Sequence, residues 1–79
     1  MNFPITINAA IKRCNRVLRD EMEVIRTTRG EIAKSNIGRW HLLDASLNLV
    51  RNYWDTVAEL EDFARELGVL REFEVIKED

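Results

Sequence analysis

From its pattern of apolar residues the chain is expected to be all-α: a long antiparallel helical hairpin with a short C-terminal tail, dimerising into a four-helix bundle. Three features carry that expectation. Only three Gly and one Pro interrupt the 79 residues. Apolar residues recur at spacings of three and four through both halves, the period of a helix face. Near the middle, Ser35-Asn36-Ile37-Gly38 gathers turn-forming residues and a glycine suited to end a helix. With 46% hydrophobic and 33% charged residues the composition is that of a folded protein, and the length allows a single domain over 1–79, near the lower limit for burying its own core.

The first helix is expected over about 6–34. Thr6 or Asn8 would cap it. Ile7, Ile11, Cys14, Leu18, Ile25 and Ile32 fall on one face, with Val17 and Met22 at its edges. A rival break lies at Thr27-Thr28-Arg29-Gly30-Glu31, where Thr28 and Glu31 have capping-box spacing. The later break is preferred because Ile32 keeps the phase of the helix and the two arms come out similar in length.

The second helix is expected over about 39–67, with Gly68 just past its end. It carries two apolar stripes. Trp40, Leu43, Leu47, Val50, Trp54 and Val57 form one; Leu42, Leu49, Tyr53, Leu60, Phe63 and Leu67 form the other. A partner helix covers only one stripe, so the second predicts a homodimer interface of Leu49, Tyr53, Leu60, Phe63 and Leu67. The tail, 69–76, is the competitor for that stripe. It also has the composition to pair as a short strand with Phe3-Pro4-Ile5-Thr6-Ile7.

Several function classes lack their chemistry. A single cysteine, Cys14, excludes an internal disulfide and a multi-cysteine zinc site; its apolar face makes it a buried hydrophobe. Met1 to Ile5 has neither the basic region nor the long apolar run of a signal peptide, and no apolar stretch reaches ~20 residues. A cytoplasmic location without membrane contact is therefore expected. Gly30, Gly38 and Gly68 form no phosphate loop. The only histidine, His41, has Asp44 three residues on but no Ser or Cys on the same face to make a triad. Glu59/Asp62 and Asp20/Glu23 have the spacing with which all-α nucleotide pyrophosphatases hold magnesium. In the expected hairpin Glu59 and Asp62 point away from both apolar stripes, so they would not converge. No catalytic residue, metal or cofactor is expected, and the chain is read as non-enzymatic.

Charge is the remaining guide. Residues 1–40 hold eight Lys/Arg against four acids, a net +4, and residues 41–79 hold four against ten, a net −6. On the first helix Lys12, Arg16, Arg19 and Arg26 form a basic row, the candidate nucleic-acid contact, although Glu23 interrupts it and no aromatic interleaves it. On the second, Asp44, Asp55, Glu59, Asp62 and Glu66 form an acidic face, the candidate partner-binding surface. The leading expectation is a protein–protein interaction module that binds, bridges or blocks a partner with a basic surface, an inhibitor or regulator of the kind phages and mobile elements encode. A nucleic-acid-binding protein using the basic row is the alternative, and a magnesium-dependent nucleotide hydrolase a distant third.

Overall fold

A computed structural model describes residues 2–77; Met1, Glu78 and Asp79, which enter the readings of the N-terminus and the charge balance, lie outside the described residues. Strands and helices alternate along the chain: β1 (Phe3–Thr6), α1 (Ile7–Leu18), a 3-10 turn (Arg19–Glu21), β2 (Glu23–Thr27), α2 (Glu31–Ile37), β3 (Trp40–Asp44), β4 (Leu49–Trp54), α3 (Val57–Glu66) and β5 (Glu74–Lys77). β2, β3 and β4 form an antiparallel sheet in that order, and β1 pairs with β5 in parallel. The all-α hairpin and the four-helix bundle are thereby overturned. The helix expected over 6–34 stops at Leu18, and of the one expected over 39–67 only Val57–Glu66 is α-helical.

Each departure has a local cause. Thr6 caps α1 as expected, its hydroxyl accepting from Ala9 N at 3.1 Å. After the 3-10 turn, Met22 takes a left-handed conformation (φ 57°) that ends the helical run. Val24, Ile25 and Thr27 then supply the β-branched residues a strand favours. Ile25 follows Leu18 by seven residues and so looks in phase with α1, but it is a strand residue, and Ile32 is 81% exposed. Both candidate breaks are used: Gly30 precedes α2 and Gly38 caps its end. Gly38 cannot be replaced cheaply, because φ is +70° and a Cβ there would lie 2.7 Å from the Trp54 carbonyl oxygen. At the other end of the chain, the tail's rival reading is the observed one: β5 runs beside β1 with Ile5 opposite Ile76.

The strands' alternation sets the layers. Ile25, Trp40, Leu42 and Trp54 face inward and are buried with Ala10, Cys14 and Leu18 of α1 and Leu60 and Ala64 of α3; Ile5 and Ile76 extend this core into the two-stranded sheet. On the outer face, register places Arg26, His41 and Tyr53 in one transverse row and Val24, Leu43 and Val50 in another. The molecule is thin, with principal extents of 39 × 29 × 16 Å, as one sheet backed by one helical layer should be. The proposed homodimer stripe is accordingly dispersed. Leu49 and Tyr53 are exposed on β4, Leu60 is fully buried, and Phe63 and Leu67 pack against the core of the same chain.

Sheet edges are protected by polar side chains. The Asn15 amide takes both outward groups of Ile25: Ile25 N donates to its Oδ1 at 2.7 Å and its Nδ2 donates to Ile25 O at 3.3 Å. On β5, Arg65 Nη2 donates to Glu74 O at 2.6 Å and Ile76 N donates to Glu61 Oε1 at 2.7 Å. Tyr53 N on β4 donates to Asn52 Oδ1 at 2.8 Å. Phe3 N points at β5, donating to Phe73 O, so Pro4, which has no N–H, occupies the outward position of β1. A clamp joins the two ends of the chain: Arg13 Nη1 donates to both carboxylate oxygens of Glu74 (2.9 and 3.0 Å) and to Val69 O (3.2 Å). The Arg13 guanidinium and the Arg71 N–H hold the Glu74 carboxyl below the usual range. Among the described residues no helix is long and apolar enough to cross a membrane.

Candidate functional site

Asn52 and Trp54 sit two apart on β4 and so share a face. α3 follows at once. Thr56 caps it, accepting from Glu59 N at 3.2 Å while its hydroxyl donates to Glu59 Oε1 at 3.0 Å, a reciprocal pair that fixes the helix start. Leu60 and Ala64 turn into the core, which leaves Glu59, Asp62 and Glu66 along the exposed side beside half-buried Phe63. The result is a groove of about 260 Å³ between β4 and α3, lined by Asn52, Trp54, Glu59, Asp62, Phe63 and Glu66. Phe63 packs on Trp54 with ring centroids 4.6 Å apart and planes at 40°. Three carboxylates beside half-buried Phe63 and the edge of buried Trp54, with no cation in the lining among the described residues, suit an ammonium or guanidinium.

The expected acidic face is thus kept in part. Glu59, Asp62 and Glu66 come together; Asp55 is exposed just ahead of the α3 cap and does not line the groove. Asp44 lies at the other end of the β3–β4 hairpin, buried, and its carboxylate organises the turn. Oδ1 accepts from Ser46 N (3.0 Å), Ser46 Oγ (2.7 Å) and Leu47 N (3.0 Å), and Oδ2 from Arg51 Nε (3.3 Å) and Nη2 (3.1 Å). The Ser46 hydroxyl, the Leu47 N–H and Arg51 hold its pKa down at about 2.

The basic row divides as well. Lys12 and Arg16 are exposed on α1 and Arg19 on the 3-10 turn, whereas Arg26 stands on the outer face of the sheet, away from α1. His41 and Asp44, three apart on a strand, face opposite sides, so the His–Asp fragment does not form. His41 Nδ1 instead lies 2.8 Å from the buried hydroxyl of Thr28. Cys14 is fully buried, and burial pushes its thiol up to about 11. Asp20 and Glu23 fall on the 3-10 turn and β2, and among the described residues no three His, Cys, Asp or Glu converge on a metal position.

Sequence reasoning missed Asn52 and Trp54 as parts of a site and gave Phe63 to the homodimer interface instead. Trp54 was read as part of an apolar stripe of one long helix; the signal available was the two-residue step from Asn52 to Trp54 just ahead of a Thr-x-x-Glu cap. Set against known proteins, the chain significantly matches no family model, no curated protein and no solved structure.

Proposed function

We propose that the chain is a non-enzymatic binding module whose β4–α3 groove takes a Lys- or Arg-bearing segment of a partner protein, and that it acts by occupying or bridging that partner. The observation behind this reading is the groove itself: Glu59, Asp62 and Glu66 line it together with Trp54 and Phe63, and among the described residues no basic side chain does. Three carboxylates on one edge raise the local concentration of a cationic partner and speed encounter. Half-buried Phe63 beside them then rewards a long aliphatic stem carrying the charge, which separates Lys and Arg side chains from inorganic cations.

Calorimetric titration with a short Arg/Lys peptide tests it, alongside an Asp/Glu peptide of equal length. The cationic peptide should bind and weaken as salt rises, while the acidic one should not. Asp62→Lys with Glu66→Lys should abolish binding at unchanged helicity, because both side chains are exposed and neither caps α3. Equal binding by the doubly reversed variant would remove the groove from consideration.

A further inference from the structure

We propose that the outer face of the three-stranded sheet is a second site, one that takes a short stretch of single-stranded nucleic acid, with Arg26 on a phosphate, a base stacked on Tyr53, and the His41 ring hydrogen-bonding between them. This does not rest on the groove, which lies between β4 and α3.

Placement comes first. Arg26 is opposite His41 and His41 opposite Tyr53, so the three side chains cross the sheet in one line. Neighbouring Cβ atoms in such a row are ~5 Å apart, which sets the cation and the phenol ring ~10 Å from each other. Beside this row runs the apolar row Val24–Leu43–Val50. None of the six side chains is acidic, although the protein as a whole is. Arg26 is exposed and Tyr53 is 49% exposed.

His41 is positioned for contact. Its Nδ1 is held by Thr28, which is 3% exposed and cannot swing away. That is the ring's only side-chain hydrogen bond among the described residues, and no buried side-chain N or O lacks a partner. Nε2 therefore reaches solvent. Burial and the neighbouring Arg26 charge both lower its pKa, so at neutral pH the ring is uncharged and offers Nε2 as donor or acceptor according to its tautomer.

Charge selects the occupant. Residues 26–34, from β2 into α2, hold Arg26, Arg29 and Lys34 against Glu31 alone, a net +2. A polyanion is favoured there and a basic peptide is not. Free phosphate would need Arg26 but would make no use of Tyr53. An exposed aromatic beside a cation on an open sheet is how unpaired bases are held, by stacking, with the backbone tracked by charge. The fold thus supplies what the basic row lacked in sequence, an aromatic in one row with an arginine across His41.

Since His41 is the chain's only histidine, its ring C–H resonance is a unique probe. The full chain is titrated with octauridylate, with octathymidylate and with inorganic phosphate. Either oligonucleotide should shift the His41 and Tyr53 ring signals. Tyr53→Leu, which keeps an apolar side chain beside Gly38, should weaken binding about tenfold. Arg26→Gln should weaken it too and reduce the salt dependence by about one phosphate contact. Asp62→Lys should leave oligonucleotide binding intact. Four outcomes would overturn the proposal: unmoved His41 at high oligonucleotide concentration, equal shifts from phosphate alone, undiminished binding by Tyr53→Leu, or His41 shifts produced by the Arg/Lys peptide instead, which would give this face to a protein.

Discussion

The inner and outer faces of the three-stranded sheet are made from alternate residues of the same strands, yet only one of them is covered. Inward, Ile25, Trp40, Leu42 and Trp54 lie at 3–6% exposure beneath α1 and α3. Outward, Val24, Leu43 and Val50 are half-buried and Arg26 and Tyr53 exposed. Stability is therefore concentrated on one side of a thin molecule, and side chains free to bind remain on the other. The β4–α3 groove sits at the border of the two: Trp54 belongs to the core and Glu59, Asp62 and Glu66 to the surface.

The sharpest way to break this contrast uses adjacent residues. Leu42→Ala should cost about 2–5 kcal/mol, the range for emptying a packed core position, while Leu43→Ala should cost about 1 kcal/mol or less. Denaturant unfolding of both variants checks it, and equal losses would mean that the outer face is covered too. Next in size is a backbone effect. Gly38→Ala combines a glycine-only conformation (φ 70°, ψ −176°) with a collision at the Trp54 carbonyl and should lose about 3 kcal/mol. Gly68→Ala, with φ +74° but nothing within 4 Å, should lose about 1 kcal/mol.

The smallest expected effect is on pH dependence. Asp44 titrates at about 2 in the folded protein, against an ordinary value of 3.8. Its contribution to stability is thus complete above about pH 4 and is lost as pH falls toward 2. His41 also has a lowered pKa, so folding favours its neutral form, and stability falls as pH drops below its ordinary 6.5. Melting temperatures from pH 8 to 2 should show both limbs. Asp44→Asn should shrink the lower one, to which the lowered Glu74 carboxyl also contributes, and His41→Gln should flatten the upper.

How much of this was legible depended on which period the residues obeyed. The start of α1 was readable because Thr6 caps a run of Ile7, Ile11, Cys14 and Leu18 at steps of four, three and four. The end of α3, with Gly68 beyond it, was readable but its start at the Thr56 cap was not, and the tail's pairing with β1 was in view as a rival. The central sheet was not readable. Trp40, Leu43, Leu47, Val50 and Trp54 also step by three and four, although in the fold they are divided between the two faces and a turn. Strand alternation was masked twice, by Asp44 standing charged at an inward position and by the irregularity in the β3–β4 pairing between Leu42 and Leu43. The site followed the fold: three carboxylates stayed together because they lie on a real helix, while the residues assigned to the false one scattered.

One titration tests the central claim, that binding is carried at the border of the core by the acidic groove. Trp40 and Trp54 are both buried inner-face residues, but only Trp54 lines the groove. Their two indole N–H signals, followed by NMR as an Arg/Lys peptide is added, should separate. Trp54 should shift with saturation, Trp40 should stay within a small fraction of that change, and Asp62→Lys should silence the response. Signals that stay still, move together, or respond unchanged in the Asp62→Lys variant would contradict the account.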